Sequence, residues 1–549
     1  MKILIVVTRV NKDIFTYNKY DTEKSYNFIP PIGLAYISAV LKKSGYDVTI
    51  LNLNQKDGKC ADIIRKELNQ NFYNIIFLGG LSIMYPNVRD YITTIREVSS
   101  KSKIVVGGGL ISAQPELMLK LLQPDFIIIW EGEETVVELV RWIDIGNSTE
   151  NIKGIGYLDA IGYPVITESR PPIKNLDDLP YPDCDGIGYQ EFLDNQRPNS
   201  ALFDSFDFPR PYYIVGSRSC PFSCTFCFHT IGKKYRQRSI ENIMGEIQQV
   251  TWRYKINVFV FLDELFAHDK TRALEFCCRF NEFARTIPWE MRLTFMLRVD
   301  CIDEEIIDTI KKFRYTIISL GLESYSKIVL DSMKKHITPE QIRNTVQLIA
   351  DSKLGIMGGF IFGDSAETLE TAKETLNFFY ANQDILRGGV ALNFIIPFQG
   401  SPIYTHCLKE GIIKDEVQFI EQREREGYSR FSPANLTRLS DRDFNILKDW
   451  VFTADYVASY YAIPTLVKIV NGIIEVHVKC PYCKRMMVLR NIDIPHTLQR
   501  IGVICRHSDC NGRFNLVTSY FPIARFFVKI FGFTKIYNTK RAIWGLEPW

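Results

Sequence analysis

The chain has 549 residues, of which 23% are charged and 46% hydrophobic, and its formal net charge is only +3. That length exceeds what one hydrophobic core organises, so three or four domains are expected. The near-neutral balance removes any global electrostatic case for nucleic acid, and no uncharged apolar run reaches about 18 residues, so no transmembrane helix is expected.

The first run, Met1-Lys-Ile-Leu-Ile-Val-Val7, is too short for a signal peptide and reads as a buried strand. Further strands are predicted near residues 47–51, 75–79, 104–107 and 126–130, with amphipathic stretches such as 32–43 and 88–99 between them. Such alternation predicts a parallel, doubly wound, Rossmann-like sheet over residues 1–145. Ligands of these sheets bind beyond the carboxyl ends of the strands. There stand Gly79-Gly-Leu-Ser-Ile-Met84, Gly107-Gly-Gly109 and Glu131-Gly-Glu133, where glycines let a large cofactor approach the backbone. Between 146 and 207, Pro171-Pro172, Asn175-Leu-Asp-Asp-Leu-Pro180 and Tyr181-Pro-Asp183 predict a turn-rich linker.

Residues 208–415 alternate again, with strands near 212–217, 257–262, 291–297, 316–321, 355–362 and 390–396. Six such βα units make a partial parallel barrel whose active groups lie at the carboxyl ends of its strands. The first strand runs into Ser217-Arg-Ser-Cys-Pro-Phe-Ser-Cys-Thr-Phe-Cys-Phe-His229, which spaces Cys220, Cys224 and Cys227 as Cys-x3-Cys-x2-Cys. Ferredoxin-type clusters close with four thiolates, whereas three hold three corners of a cubane and leave the fourth iron open to a ligand. The bland alternative is three structural cysteines or part of a zinc site. The 13 cysteines fall into two tight groups and six scattered residues, a pattern of metal ligation in a reducing compartment.

Residues 416–470 read as a helical extension. Over 471–517, Cys480-Pro-Tyr-Cys483 and Cys505-Arg-His-Ser-Asp-Cys510 form two knuckles around a strand-like segment at 486–490. Four thiolates in two pairs fit a closed, structural zinc ribbon; a rubredoxin-like iron or an auxiliary cluster, either able to carry electrons, is the alternative. His507 is expected outside the ligand set. The tail, 518–549, carries five basic residues against one acidic. Within it Ile523, Phe526, Phe527, Ile530 and Phe531 fall on one helical stripe, with Arg525 and Lys529 on another face. Such a helix either docks on the core or lies in a membrane interface.

The cysteine run and the strand ends after it resemble the signature of radical S-adenosylmethionine (SAM) enzymes. The first 145 residues and the phrase Asn175-Leu-Asp-Asp-Leu-Pro-Tyr-Pro182 resemble the cobalamin (B12)-binding domain and linker of one branch of that family. The resemblance implies a [4Fe-4S] cluster on Cys220, Cys224 and Cys227 whose open iron is chelated by SAM. One electron then cleaves SAM to methionine and a 5′-deoxyadenosyl radical. It implies SAM contacts at Phe226, Asp263, Glu264, Arg298, Glu323 and Ser324, and cobalamin contacts at Ser82, Gly107, Gly108, Glu131 and Gly132. The family element Asp-x-His-x-x-Gly is missing, and no histidine precedes His229, so no histidine of this domain holds the lower face of a corrin. Gly363-Asp-Ser-Ala-Glu-Thr368 and Gln399-Gly-Ser401 depart from the family's Gly-x-Pro-Gly-Glu-Thr and Pro-Gly-Thr, which reshapes the expected pocket.

The function so implied is cobalamin-dependent methyl transfer to an unactivated carbon. Two alternatives stand beside it: a cobalamin-independent radical cyclase or carbon–carbon coupling enzyme, for instance on a lipid, and a non-catalytic iron–sulfur or cobalamin sensor. Expected partners are SAM, an organic substrate (lipid, carbohydrate or other metabolite) and an electron donor such as flavodoxin or ferredoxin. The expected location is the cytoplasm, at the membrane periphery if the tail helix is interfacial.

Overall fold

A strand with apolar side chains on both faces belongs in the middle of a covered sheet. In the computed structural model, Ile3 to Val6 of β1 (Lys2–Val7) are all fully buried. The structure describes residues 1–10, 28–198, 206–266, 270–312, 317–352, 354–386, 389–425, 434–458, 460–492, 500–507, 510 and 512–536. Around β1 stand β2 (Asp47–Asn52), β3 (Ile75–Gly79), β4 (Lys103–Gly107) and β5 (Phe126–Ile128), all parallel, in the order β2-β1-β3-β4-β5. This is a flavodoxin-like order, whose ligand crevice opens where β1 and β3 send their connections to opposite faces.

The expected linker contributes more than turns. β6 (Ile155–Leu158) and β7 (Pro164–Ile166) form a hairpin that pairs antiparallel with β5 and extends the sheet to seven strands. An uncovered β5 would leave unpaired backbone groups, and the hairpin covers them. Farther along, Asp183 ties the linker back to the first domain by accepting from Ser38 Oγ at 2.5 Å and pairing with Lys42 at 2.6 Å.

The second domain begins at β8 (Pro211–Ile214). A two-residue antiparallel ladder, β9 (Ser217–Arg218) with β10 (Arg236–Gln237), then brackets the cysteine loop. β11 (Val258–Phe261), β12 (Arg292–Leu297), β13 (Ile317–Glu323), β14 (Gly355–Phe362) and β15 (Val390–Phe394) follow β8 in spatial order, all parallel, as the expected six-stranded partial barrel. Its helices start on side-chain caps. Ser239 accepts from Asn242 N at 3.1 Å, and Thr338 with Gln341 makes a reciprocal capping box.

After the barrel, helices Glu416–Arg425 and Asp441–Ala458 form the expected extension. It ends sooner than expected. β16 (Tyr461–Ala462) and β17 (Leu466–Val470) already belong to the ribbon, where β17 pairs with β18 (Ile473–Lys479) and β18 with β19 (Met486–Arg490). The cause is the turn Asn471-Gly472, with both residues at positive φ, which closes a tight hairpin. β20 (Ile501–Ile504) and β21 (Arg513–Leu516) complete a second small sheet with β16. A helix, Phe521–Phe531, follows. Among the described residues, no helix is long and apolar enough to cross a membrane.

Candidate functional site: a cleft shared by two domains

The carboxyl ends of the first sheet face the mouth of the barrel across a cleft of about 490 Å³. Val7, Thr8, Gly79, Gly107, Gly108 and Gly132 line it from the first domain. Glycine at 108 is required twice over. Its φ is +91°, and a Cβ there would stand 2.8 Å from the carbonyl oxygen of Gly80. On the barrel side the wall includes Ser217, Ser219, Thr230 and Glu264. Mostly apolar walls with a few convergent polar groups suit a large organic cofactor, and the glycine edge leaves the backbone open to it. Of the residues expected at cobalamin, Gly107, Gly108, Glu131 and Gly132 line the cleft; Ser82 lies in the turn beside it, while its neighbours Leu81 and Met84 take the wall.

Glu131 does more than line the wall. Its carboxylate pairs with Arg218 at 2.6 Å and Arg236 at 2.7 Å and accepts from Ile173 N at 2.9 Å. Arg218 also pairs with Glu133 at 2.5 Å, and all four side chains are buried. Burial opposes the Arg218 charge, but Glu133 and Glu131 outweigh it and hold the guanidinium above its ordinary range. Arg218 directly precedes the cysteine loop, so this cluster fastens the loop to the first domain. Trp130, at φ +64°, continues the contact with its ring 6.2 Å from that of Phe228.

The loop carrying Cys220, Cys224 and Cys227 is irregular and borrows its support. Thr225 N donates to Met333 O at 3.1 Å, and Thr225 O accepts from Ile403 N at 3.0 Å. All three cysteines are free thiols, with Cys224 buried and the other two half-buried. A hydrogen bond from Cys227 draws the Cys224 thiol down to about 6, with Lys335 and Arg298 adding to the effect, and Cys227 is pushed up in return. Burial raises Cys220. Three unpaired thiols beside two cations fit an anionic iron–sulfur cluster held by three ligands.

The residues expected at SAM separate into two groups. Arg298 lies 3.5 Å over the ring of Phe222 in the loop and pairs with Asp300 at 2.9 Å. Glu323, at φ +60°, pairs with Lys335 at 2.7 Å. Glu264 reaches the cleft and bonds His229 Nδ1 at 2.6 Å, which raises the histidine's pKa. Phe226 packs on the apolar cluster that includes Met333 and Tyr404. Asp263 and Ser324 bond the scaffold, although Asp263 leaves one buried oxygen, Oδ2, without a hydrogen-bond partner among the described residues. Asp263 accepts from Gly216 N at 2.8 Å, with its pKa pushed up to about 6 by burial. Ser324 bonds Thr375 at 3.1 Å and accepts from Ser326 N. Lys335, His229, Arg218 and Arg236 were not singled out by sequence. No motif marks Lys335, whereas Arg218 and His229 flank the cysteines and were open to inspection.

At the ribbon, Cys480, Cys483, Cys505 and Cys510 bring all four sulfurs within 4.8 Å of one another. Cys480 and Cys510 are 3.8 Å apart, as are Cys483 and Cys505. A tetrahedron of thiolates at the usual zinc–sulfur length of about 2.3 Å has edges of roughly 3.8 Å, so the donor set fits one tetrahedral metal ion. His507 turns away and bonds Met486 O at 3.1 Å.

The B12 binding domain family matches residues 19–140, and the radical SAM superfamily matches residues 214–379. The chain thus carries a B12-binding domain followed by a radical SAM domain. It is 28% identical to an uncharacterized methyltransferase of Pyrococcus horikoshii, over 64% of this chain and 72% of that protein. It is 25% identical to the anaerobic magnesium-protoporphyrin IX monomethyl ester cyclase of Rubrivivax gelatinosus, over 63% of this chain and 61% of that one. Among solved structures, the radical SAM methyltransferase TsrM of Kitasatospora setae superposes with a TM-score of 0.59 at 17% identity, over 74% of this chain and 76% of that chain. That likeness is one of fold.

Proposed function

We propose that this radical SAM enzyme methylates a carbon of an organic substrate with cobalamin as the methyl carrier. The observation that carries the reading is the single cleft: the glycine edge of the B12-type domain and the wall beside the cysteine loop enclose one space of about 490 Å³. When bound, a cluster on Cys220, Cys224 and Cys227 supplies the electron that cleaves SAM, and cobalamin supplies the methyl group.

The chain's own residues do the rest. Arg298 and Lys335 offset the thiolate charge around Cys224. Glu264, Arg298 and Glu323 are our candidates for the polar ends of SAM, with Asp263 and Ser324 as braces behind them. Gly107, Gly108 and Gly132 admit the corrin, and the apolar walls exclude water from reactive intermediates. The four ribbon thiols hold a structural zinc ion, and a flavodoxin or ferredoxin delivers the electron. An oxygen-sensitive cluster of this kind belongs in a reducing cytoplasm. Similarity to the cyclase of Rubrivivax gelatinosus favours a second reading, in which the same radical start ends in carbon–carbon closure instead of methylation.

The test is corrin content after anaerobic purification with hydroxocobalamin supplied, read from the absorption spectrum of protein freed of small molecules. Near-stoichiometric corrin together with 5′-deoxyadenosine on addition of SAM and dithionite is expected. An intact cluster without corrin overturns methyl transfer and leaves the cyclase reading.

A further inference from the structure

The helix Phe521–Phe531 is apolar nearly all round, yet only one narrow side of it is covered. Phe521 and Val528 are buried against Tyr456 and Val517. Arg525 is drawn to the same side, donating to Val457 O with its guanidinium 5.1 Å over the Tyr461 ring. At 3.6 residues per turn the opposite side carries Ile523, Phe526, Phe527, Ile530 and Phe531. These five are 58%, 60%, 43%, 56% and 48% exposed. The stripe that the sequence marks as apolar therefore faces away from the core. Soluble proteins rarely present contiguous apolar patches of this kind without a partner.

We propose that this face is a peripheral docking surface for an anionic lipid bilayer. The charge pattern selects that occupant. From Thr518 to Ile536 the sequence has Arg525, Lys529 and Lys535 and no acidic residue. Lys529 is exposed at the edge of the stripe, where its stem can lie along apolar surface while the ammonium reaches a phosphate. Beside the helix opens a groove of about 480 Å³ lined by Lys373, Tyr380, Trp450 and Lys529, with one acid, Asp449, which accepts from Thr534 N at 3.0 Å. Amphipathic aromatic rings next to lysines at an apolar rim are the composition of a headgroup boundary. On this rim Lys373 and Lys529 outnumber the one acid, Asp449, and the helix itself carries none, so the face as a whole complements a negatively charged lipid surface.

The experiment is sedimentation of the full-length, cluster-reconstituted protein with vesicles of phosphatidylcholine alone and of phosphatidylcholine with phosphatidylglycerol. Binding to the anionic vesicles, weakened by salt, is expected. The double variant F526S/I530S should lose at least about tenfold in partitioning, and K529Q roughly fivefold. The serine substitutions touch no core contact, so SAM cleavage by that variant should equal wild type, which keeps this test separate from the proposed reaction. Equal binding to neutral and anionic vesicles, no binding to either, or wild-type binding by F526S/I530S overturns the proposal. So does a concentration-dependent dimer that F526S/I530S abolishes, because the face would then cover a second copy of this chain.

Discussion

The two cysteine sites of this molecule use the same donor atom and are built in opposite ways. The ribbon's four thiols sit on short hairpins, two pairs each 3.8 Å apart. The loop's three thiols sit on an irregular segment that is held from outside, by Met333 and Ile403 through Thr225 and by Glu131 and Glu133 through Arg218. Four equal donors leave a metal no free position and tie the small sheets together, so the metal and the ribbon fold stabilise each other. Three donors beside a cleft leave a position open, and the surrounding protein must supply the stability that a closed site would provide. On the function proposed above, ligand number, more than ligand type, separates scaffold from reaction centre.

Cysteine removal sharpens that contrast most. Cys224→Ala should abolish the iron–sulfur absorption and all 5′-deoxyadenosine formation, since two thiolates do not retain the cluster, while the folded baseline by circular dichroism stays close to wild type. Turnover retained in that variant would show that the site lies elsewhere. Cys480→Ala should do the reverse: a loss of more than about 5 kcal/mol from the ribbon, seen as an early thermal transition and missing zinc, with the cluster spectrum intact. Normal stability with lost turnover would make the ribbon an electron carrier.

Arg218→Met probes how the loop is held. The substitution leaves buried Glu133 without its partner and Glu131 with Arg236 alone, and breaking a buried pair costs about 3–4 kcal/mol. A lower melting temperature is expected, partly restored in R218M/E133Q because the uncompensated carboxylate is gone. Metal content of the ribbon should not change. An unchanged melting temperature in R218M would mean that the loop does not depend on this anchor.

The sequence-based reading and the structure agree best where a pattern repeats and least where direction decides. All five parallel strands of the first sheet and all six of the barrel were legible from apolar runs between amphipathic stretches. The hairpin of β6 and β7 was hidden by its proline- and glycine-rich surroundings, although an open β5 edge called for cover. The expected ribbon boundary falls between residues 470 and 471, just before Asn471-Gly472, which is itself a hairpin signal and places β17 inside the ribbon. At the candidate site, the spacing of Cys220, Cys224 and Cys227 is legible in the sequence, and the structure leaves all three as free thiols on one loop. Asp263 and Ser324 are polar residues at strand ends, but spacing does not say which way a side chain turns: Asp263 Oδ1 accepts from Gly216 N, and Ser324 bonds the Thr375 hydroxyl. Lys335 reaches Glu323 through the fold of a turn, and no local pattern announces it.

The smallest expected effect uses a barrel carboxyl that serves neither cysteine site, and it measures what the shared scaffold contributes by itself. Glu367 is buried beyond β14, where it accepts from Gly363 N at 3.3 Å and Thr371 Oγ1 at 2.8 Å. Burial pushes its pKa up to about 7 from an ordinary 4.5. The folded state therefore holds this proton more tightly than the unfolded chain does. The corresponding stability is fully present below about 4.5 and is lost as pH rises through 7. Glu367→Gln keeps the shape and removes the titration, so wild type and variant should diverge with pH in the variant's favour. Between pH 5.5 and 8.5 the gap should widen by about 2 kcal/mol, read as melting temperatures at the two pH values. A gap that stays constant would mean that Glu367 is already ionised in the folded barrel, and that the turn Gly363–Thr368 solvates a charge that the buried geometry denies it.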